Sequence, residues 1–259
     1  MITSTSNQRV KDLLQLQKKA KIRNKEKVFL AEGSRMVMET PKKNLVKLYV
    51  SESYYKKNQE ELKEFGGQAE VLSDTVFAYV SDTKTAQGIL AVVRQMDYKL
   101  ADMIEGKQPH ILVLDNLQDP GNLGTIFRTA EAAGVTGILM SQDCVDIYNP
   151  KTIRSTMGAI YRMPFIYMED ILTGIQTLKQ KKIQVYAAHL DGKNAYDQES
   201  YLGGTALLIG NEGNGLRAEV AECADTWVRI PMAGEAESLN AAVASAILMF
   251  EVSRQRRRG

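Results

Sequence analysis

Cysteine is scarce in this chain of 259 residues, which contains only Cys144 and Cys223. Two cysteines suggest no disulfide framework, so a reducing, cytoplasmic compartment is the expectation. Long apolar runs are missing as well, since no stretch approaches the roughly 20 residues that a membrane-spanning helix needs. The polar residues 1–10 do not resemble a signal peptide. We therefore expect a soluble cytoplasmic protein with no membrane partner.

Histidine is just as scarce, and neither His110 nor His189 has neighbours at the spacing of metal ligands. No metal site is therefore expected, and each histidine is predicted to be structural. The chain has no Gly-x-Ser-x-Gly elbow of a hydrolase. Its glycine-rich segment 210–216 has neither the Gly-Lys-Ser/Thr ending of a phosphate-binding loop nor the Gly-x-Gly-x-x-Gly dinucleotide pattern. These absences argue against a serine hydrolase and against a nicotinamide-dependent oxidoreductase.

The net charge of +2 hides an uneven distribution of charge. Residues 8–35 carry nine basic and three acidic side chains. A second basic group closes the chain, with Arg254, Arg256, Arg257 and Arg258. Two basic ends fit contact with nucleic-acid phosphates. A solvated helix face and a frayed tail would explain the same charges equally well, so charge alone leaves this choice open.

The chain is predicted to divide into a small domain, residues 1–95, a linker, 96–108, and a larger domain, 109–259. Gly106–Pro109 marks the break before a clear strand. In the small domain, alternating short strands and helices are typical of a layered α/β fold. The predicted strands are Val28–Ala31, Val46–Val50, Ala69–Leu72 and Ile89–Val93, and the predicted helices cover residues 8–20, 34–40, 53–65 and 74–80.

The larger domain begins with Ile111–Leu114, a wholly apolar strand that is typical of a sheet covered on both faces. Strands and helices then alternate, which predicts a mainly parallel sheet with helices on both sides. Ligands of such sheets bind beyond the carboxyl ends of the strands. The further predicted strands cover residues 137–140, 165–167, 184–188, 206–209 and 227–230, and the predicted helices cover 123–133, 150–157, 171–181 and 239–252.

Polar and glycine residues concentrate at three strand-to-helix corners of the larger domain. In the first corner, residues 115–128, Pro120-Gly121 makes a turn and Asn122 is predicted to be the N-cap of the next helix. Arg128 is expected to lean back toward the start of that helix, over a loop that suits a phosphate or a ribose. A surface arginine on an amphipathic helix is the alternative.

The second corner, residues 208–216, has three glycines within six residues, which lets the backbone approach a ligand closely. Glu212 in its middle is expected to anchor a ligand, an arginine or the loop. In the third corner, residues 230–240, Ser238 is predicted to cap the last helix and Asn240 to turn its amide toward the loop. The small residues that follow indicate close packing, although helix propensity explains them too.

Together the corners resemble, in order and spacing, the three motifs of the SpoU (TrmH) family of RNA ribose 2′-O-methyltransferases, which belong to the SPOUT class. The motifs are Asn122-Leu-Gly-Thr-Ile-Phe-Arg128, Ile209-Gly-Asn-Glu-Gly-Asn-Gly-Leu216, and Ile230-Pro-Met followed by Ser238-Leu-Asn240. The resemblance covers about residues 109–252. Residues 28–33 with Val37, and residues 83–93, resemble the family's substrate-binding domain, an α/β module similar to ribosomal-protein RNA binders.

The resemblance implies S-adenosylmethionine as methyl donor, RNA as partner and a homodimer. It also implies that the α/β methyltransferase domain contains a deep trefoil knot. The family's polar catalytic positions fall on Asn122, Arg128, Glu212, Ser238 and Asn240. The implied cofactor-binding residues are Gly210, Asn211, Ile230 and Leu239, with Leu190 and Met232 as walls of the pocket.

The reaction implied by the resemblance is in-line attack of a ribose 2′-oxygen on the methyl group of a sulfonium. A hydroxyl is a poor nucleophile until its proton is drawn away. The family suggests that Arg128 activates this hydroxyl, yet an arginine side chain stays protonated in proteins. Binding of the adjacent phosphate and stabilisation of the developing alkoxide therefore fit Arg128 better.

Ribosomal RNA of the large subunit, 23S rRNA, is the expected target because the chain has a separate N-terminal domain, and transfer RNA is the alternative. A non-catalytic RNA-binding module is a second alternative, against which the intact polar positions argue. A knotted enzyme that methylates a base is a third. Arg128 together with Ser238-Leu-Asn240 favours the ribose over the base.

Overall fold

The structure is a computed structural model that describes residues 1–66 and 69–258. Short 3-10 helices cover Lys42–Asn44, Lys63–Phe65, Ala159–Tyr161 and Tyr196–Gln198. The helices are α1 (Gln8–Lys18), α2 (Ala20–Glu26), α3 (Ser34–Met38), α4 (Glu52–Lys57), α5 (Gln59–Leu62), α6 (Asp74–Val80), α7 (Leu100–Met103), α8 (Pro120–Ala133), α9 (Pro150–Thr156), α10 (Ile171–Gln180), α11 (Ala218–Ala221) and α12 (Ala241–Arg258). The strands are β1 (Val28–Glu32), β2 (Leu45–Ser51), β3 (Ala69–Leu72), β4 (Ile89–Arg94), β5 (His110–Leu114), β6 (Gly137–Ser141), β7 (Phe165–Met168), β8 (Gln184–Ala188), β9 (Asn194–Ala195), β10 (Thr205–Ile209) and β11 (Thr226–Arg229).

The chain folds into two compact units. The first unit contains Met1–Met96 together with Asp146–Tyr161, and the second contains Asp97–Val145 together with the chain from Arg162 onward. The predicted domain limits, 1–95 and 109–259, stay a prediction. Asp146–Tyr161 lies inside the predicted larger domain, yet it packs in the first unit, where α9 contacts β1.

The first unit is built on a four-stranded mixed sheet with the order β1-β4-β2-β3. Strand β4 runs antiparallel to both of its neighbours, whereas β2 and β3 are parallel. Helices α1 and α6 bury apolar side chains against one face of this sheet, and these side chains join Leu30, Leu72 and Leu90 in one core. All four strands predicted from the sequence are present.

Two predicted helices of the first unit are each broken by one residue in a non-helical conformation. The helix predicted at 8–20 ends at Lys18, because Lys19 is extended (φ −122°, ψ 106°), and α2 follows as a separate helix. The helix predicted at 53–65 breaks at Asn58, whose φ is −121°. The Asn58 side-chain amide donates to the carbonyl of Tyr54 at 3.0 Å, which satisfies one acceptor at the end of α4.

The second unit contains a seven-stranded sheet with the order β7-β6-β5-β10-β8-β11-β9. Every pair of neighbours in it is parallel, so the prediction of a mainly parallel α/β sheet is confirmed. Residues of β5, β6, β8 and β10 form its buried core with α10 and α11. The sequence pattern does not indicate β9, α7 or α11, each of which has only two to four residues.

The caps of α8 and α12 differ from the predicted ones. Helix α8 begins at Pro120, and its N-cap is Asp119, whose Oδ1 accepts from the Asn122 N–H at 2.7 Å. Helix α12 begins at Ala241, two residues later than predicted, and its cap is Asn240 rather than Ser238. Proline favours the first helical position, so Pro120 selects Asp119 over Asn122 as the cap.

Helix α12 packs against α8 and β10 and buries small residues at its start, including Ala241, Ala242 and Ser245. It runs on to Arg258, beyond the predicted end at residue 252. None of the helices in residues 1–66 and 69–258 has the length and hydropathy that a bilayer crossing requires.

Candidate active site

Three neighbouring strands of the second unit end at one edge of the sheet and continue into the walls of a cleft. Strands β10, β8 and β11 lie side by side and parallel, so their carboxyl ends meet there. They continue into Gly210, His189 and Ile230, respectively. The cleft has a volume of about 380 Å³, and its lining residues lie within the segments 188–191, 209–216, 228–232 and 238–244.

Gly210 stands where the chain turns away from β10 and comes back on itself. A Cβ atom added at Gly210 would overlap the backbone of Gly215 and Leu216. Only glycine lets two backbone segments lie this close together. Gly210 therefore places bare backbone, rather than a side chain, against the cleft.

Asn211 shapes the loop that follows. The backbone N–H of Asn211 donates to Gly215 at 2.9 Å, and the N–H of Gly215 donates back to Asn211 at 3.0 Å. The Asn211 Oδ1 accepts from the N–H groups of Gly213 and Asn214, and its amide donates to the Asn116 carbonyl at 2.8 Å. The side chain and the backbone of Asn211 are thus both engaged within the protein, which fixes the shape of this wall of the cleft.

Glu212 joins the second corner to the first. Its carboxylate accepts from the backbone N–H groups of Gln118 at 3.1 Å and Asp119 at 3.0 Å, and from the Asn122 side-chain amide at 3.0 Å. Burial alone raises the pKa of the Glu212 carboxyl, but the hydrogen bonds from Asn122, Asp119 and Gln118 outweigh it and hold this pKa below its ordinary value. Glu212 is therefore an ionised anchor whose oxygens are already occupied.

Asn240 adds the third corner to this arrangement. Its Nδ2 donates to the Asn122 Oδ1 at 3.0 Å, while its Oδ1 accepts from the first N–H groups of α12, those of Ala242 and Val243. Since Asn122 also donates to Glu212, a continuous chain of hydrogen bonds links the three corners. The sequence motifs predict that these residues share one site, and the structure brings all three together.

Arg128 and Ser238 are placed differently. Arg128 lies on the exposed side of α8, and its guanidinium has no hydrogen bond or ion pair with any residue in 1–66 or 69–258. Ser238 is exposed and lines the cleft. The structure therefore leaves both side chains free to contact a ligand, but it does not bond either one to Glu212, Asn122 or Asn240.

The residues expected to hold the cofactor lie together in the same cleft. Leu190 is the most exposed of them, with 65% of its surface accessible. All six predicted cofactor-binding residues line the cleft, namely Leu190, Gly210, Asn211, Ile230, Met232 and Leu239.

An ion pair between the buried Asp115 and the part-exposed Arg217, which no sequence motif predicts, fixes the far end of the Gly210–Leu216 loop. Asp115 follows β5 and is fully buried, and its carboxylate accepts from Arg217 at Nε (3.0 Å), at Nη2 (2.5 Å) and at the backbone N–H (3.1 Å). These bonds raise the pKa of the Arg217 guanidinium. The position of Asp115 at the carboxyl end of a buried strand is a signal that could have identified it.

The two histidines have different surroundings. His110 is buried at the start of β5, at the opposite end of the strand from the site, as a structural residue would be. His189 lines the cleft, although it belongs to none of the three sequence motifs. Among the described residues, no group of three or more histidine, cysteine, aspartate or glutamate side chains is arranged to hold a metal ion.

Comparison with known proteins matches both parts of the chain. Residues 109–250 match the SpoU rRNA Methylase family, and residues 7–91 match the MRM3-like substrate binding domain. The chain belongs to the SpoU family. The family membership predicted from the three motifs is thereby confirmed.

Two named relatives match the chain, one over almost its whole length and one over somewhat less than two thirds. A protein of Bacillus subtilis named 23S rRNA (guanosine(2553)-2′-O)-methyltransferase RlmP is 36% identical over 97% of this chain and 98% of its own length. The 23S rRNA (guanosine-2′-O-)-methyltransferase RlmB of Xylella fastidiosa is 35% identical over 62% of this chain and 65% of its own.

Solved structures show the same fold. The AdoMet-bound rRNA methyltransferase of Sinorhizobium meliloti superimposes with a TM-score of 0.84 at 30% identity, over 98% of this chain and 97% of its own. The SpoU methyltransferase AviRb of Streptomyces viridochromogenes gives a TM-score of 0.86 at 25% identity, over 98% and 99% of the two chains. Both likenesses extend through the N-terminal part of the chain.

Proposed function

We propose that this chain transfers a methyl group from S-adenosylmethionine to a ribose 2′-hydroxyl of 23S ribosomal RNA. The observation that carries the proposal is the hydrogen-bonded set Glu212, Asn122 and Asn240, attached to a cleft through Glu212, in a chain of the SpoU family. The relatives named for 23S rRNA 2′-O-methylation support the same reaction and the same class of RNA here.

The residues of the cleft suit S-adenosylmethionine in their chemistry. Gly210 leaves backbone, with its hydrogen-bonding groups, where any side chain would clash. Ile230, Leu239 and Met232 add apolar surface that suits the adenosyl part. When bound, the cofactor supplies a methyl group on a positively charged sulfur, which an oxygen nucleophile can attack. This chemistry needs no metal ion.

Arg128 is the residue we assign to the RNA side of the reaction. Its guanidinium is exposed and unpaired among the described residues, so it is available for a phosphate next to the target ribose. A guanidinium offers five N–H donors and cannot act as a base at ordinary pH. Arg128 would therefore bind the phosphate and stabilise the negative charge that develops on the 2′-oxygen.

The three corners would keep their relative positions during the reaction through the hydrogen bonds among Glu212, Asn122 and Asn240. The carboxylate of Glu212 already accepts three hydrogen bonds, and its lowered pKa disfavours proton uptake. We therefore assign to Glu212 the positioning of Asn122, rather than removal of the 2′-hydroxyl proton. Ser238, exposed at the cleft, is available to contact either the ribose or the cofactor.

RNA would also contact the first unit at a surface that we call the lysine corner, residues 18–27. It presents five exposed lysines, at positions 18, 19, 21, 25 and 27, and a single exposed acid, Glu26. Lys25 lies 3.8 Å from Glu26, and no other ion pair involves these lysines among the described residues. Unpaired, exposed cations of this density attract a polyanion such as RNA.

Arg23 gives the lysine corner a fixed shape. It is only 3% exposed, and its Nη1 donates to the carbonyls of Leu16 and Gln17 at the end of α1. Its Nε and Nη2 donate to Asp146 at 3.1 and 2.5 Å. The bend between α1 and α2 is therefore held before RNA arrives, which lowers the entropy cost of binding.

A deep trefoil knot in the second unit is part of the proposal. Asn240, just before α12, bonds to Asn122 in the first corner, and α12 packs against α8. At the other end of α12, Arg256 bonds to carbonyls before β5 and β10. A C-terminal segment enclosed in this way by earlier parts of the chain supports passage through a loop.

A homodimer completes the proposed assembly. Val243 and Phe250, seven residues apart on α12, are 48% and 43% exposed, and Ile247 lies between them on the same face. Large apolar side chains repeated on one helix face favour burial against a partner. A second copy of the chain is the partner that the family resemblance implies.

The cytoplasmic location expected from the sequence is consistent with a ribosomal RNA substrate and stays a prediction.

The decisive experiment is in vitro methylation of ribosomal RNA from cells that lack this gene, followed by mapping of 2′-O-methyl groups. We expect one new site in 23S rRNA. Arg128→Ala should lower the turnover number at least about 100-fold, the cost of losing one preorganised transition-state contact, while cofactor affinity persists. The exposed Arg257→Ala is the matched control and should leave turnover unchanged.

Two outcomes would contradict the proposal. Near-normal turnover of Arg128→Ala would remove Arg128 from the reaction. Methylation confined to the transfer RNA fraction would replace the target by the alternative RNA, while leaving the 2′-O-methylation chemistry in place.

A further inference from the structure

We propose that His189 donates a hydrogen bond from Nε2 to the adenosyl part of the bound cofactor, and that Trp227 holds the imidazole ring in place for this contact. The inference rests on the proposed function, because it takes S-adenosylmethionine as the ligand of the cleft. It assigns a specific binding role to a residue outside the three sequence motifs.

The sheet order places His189 at the centre of the cleft. Strand β8 lies between β10 and β11, so the residue that follows β8 stands between Gly210 and Ile230. His189 lines the cleft, and 26% of its side-chain surface is exposed. A ligand that contacts both outer walls must therefore pass over the imidazole.

The hydrogen bonds of His189 leave one ring nitrogen for a ligand. Nδ1 accepts from the backbone N–H of Asp191 at 3.1 Å, so the neutral ring carries its proton on Nε2. Within residues 1–66 and 69–258, Nε2 has no hydrogen-bond partner. His189 is thus set up as a donor, and a ligand that meets it must offer an acceptor.

The ring is held in a fixed orientation. Its centroid lies 4.1 Å from that of Trp227, with 31° between the ring planes, and the Trp227 Nε1 donates to the Ala221 carbonyl at 2.8 Å. The backbone N–H of His189 donates to Val228 at 3.0 Å. A Cβ atom at Gly192 would overlap the backbone at Val228, so glycine lets this turn lie flat on β11.

Two other polar side chains of the cleft, those of Asn211 and Glu212, are already bonded within the protein. The Asn211 side chain is hydrogen-bonded to its own loop and to Asn116, and the Glu212 carboxylate accepts hydrogen bonds from the first corner. The cleft surface around His189 includes the apolar side chains of Ile209, Ile230 and Leu239, together with the exposed charged residues Asp191 and Arg229. The apolar side chains suit a purine and its ribose, which carry several acceptors for the His189 donor.

Two variants of His189 separate its two nitrogens. His189→Asn keeps an oxygen near the position of Nδ1 but has no group near Nε2, whereas His189→Gln reaches the Nε2 position with an N–H. The probes are S-adenosylhomocysteine and 5′-methylthioadenosine, which lacks the amino-acid end, and calorimetry measures the Kd of each. We expect His189→Asn to weaken both ligands about tenfold, the loss of one hydrogen bond, and His189→Gln to stay within about threefold of the wild type.

Trp227 is the chain's single tryptophan, so its fluorescence reports on the ring behind His189 during the same titrations. As a positioning residue it should affect affinity rather than turnover. Trp227→Leu should raise the KM for S-adenosylmethionine about threefold with an unchanged kcat, and Trp227→Phe should restore the KM. Lys193→Ala, an exposed change in the same loop but outside the cleft lining, is the control and should bind like the wild type.

The possible outcomes separate this inference from the proposed function. A His189→Asn variant that binds both ligands as tightly as the wild type would overturn the role of His189 alone. Weaker binding of S-adenosylhomocysteine with unchanged 5′-methylthioadenosine binding would place the contact on the amino-acid end and overturn the adenosyl assignment. A wild-type protein that binds neither ligand would overturn the proposed function as well.

Discussion

Both ends of the chain are basic, yet two of the four C-terminal arginines are bonded within the fold, whereas the lysines of the lysine corner are exposed. At the C-terminal end, Arg254 is paired with Glu251, and Arg256 donates four hydrogen bonds to backbone carbonyls. In the lysine corner, the five lysines remain exposed and only Arg23 is buried. Charge counted along the sequence therefore mixes cations that stabilise the fold with cations that are free to bind a polyanion.

The difference follows the chemistry of the two side chains. A guanidinium is planar, is less strongly hydrated than an ammonium and can serve several acceptors at once. Arg23 and Arg256 each use this property to satisfy backbone carbonyls. Lysine carries a strongly hydrated charge on a flexible chain, so it is rarely buried without a partner. In both groups the cations bonded within the fold are arginines, whereas the five lysines, together with Arg257 and Arg258, are exposed.

The largest effect is expected at the buried cation of the lysine corner. Arg23→Met should lower the free energy of unfolding by about 3 kcal/mol, because it leaves the Asp146 carboxylate and two helix-end carbonyls without their donor. Urea unfolding at pH 7 measures this difference. Lys21→Met, an exposed change on the same helix, is the control and should stay within about 0.5 kcal/mol of the wild type.

An equal stability of the Arg23 and Lys21 variants would contradict this distinction between buried and exposed cations. It would mean that the bend between α1 and α2 does not depend on Arg23. The lysines would then lie on a flexible segment rather than on a preformed surface.

A somewhat smaller effect is expected near the C-terminal cations as the pH falls. Burial, and secondarily the charge of Arg256, lower the pKa of His110 to about 3. Between pH 6.5 and 3 the unfolded chain therefore binds a proton that the folded chain does not, so stability is lost as the pH falls. At pH 5 the loss should be about 2 kcal/mol, from about 1.4 kcal/mol for each pH unit below 6.5.

Comparison with a variant isolates the contribution of His110. His110→Leu has no group to titrate, so its unfolding free energy should fall less than that of the wild type between pH 7 and pH 5. Parallel curves for the two proteins over this range would show that His110 does not carry the effect. In an otherwise wild-type chain, Arg256→Met should weaken the pH dependence of the unfolding free energy. It removes the charge of Arg256, which is the smaller of the two causes of the lowered His110 pKa.

Much of the fold follows directly from local sequence. An uninterrupted apolar run such as Ile111–Leu114 is sufficient to predict a buried strand, and the structure has β5 there. The break at Lys19 is invisible to the same reasoning, since the helical pattern continues through it. The order of the seven strands, and the packing of Asp146–Tyr161 in the first unit, depend on contacts between distant segments. No periodicity along the chain encodes those contacts.

The candidate site also has features that can be predicted from the sequence and features that cannot. The glycines of the second corner and the polar residues Asn122, Glu212 and Asn240 can be predicted as members of one site, because the three motifs occur together. The pairing of individual donors and acceptors cannot be predicted from the sequence, because it depends on side-chain positions where three loops meet. His189 carries no motif, and only the order of β10, β8 and β11 makes it the middle residue of the cleft.

The smallest effect on stability, and the most direct test of the comparison, is expected from the exposed lysines. Replacing Lys18 and Lys21 by glutamine should leave the free energy of unfolding within about 0.5 kcal/mol of the wild type, because neither side chain is buried or paired. The same change should lower the slope of log Kd against log salt for a 23S rRNA fragment by about two, one for each lost phosphate contact. Replacing the equally exposed Lys181 and Lys182 is the matched control and should leave this slope unchanged. If both pairs change the slope equally, the lysine corner is only a solvated helix face, and the contrast between the two basic ends loses its functional meaning.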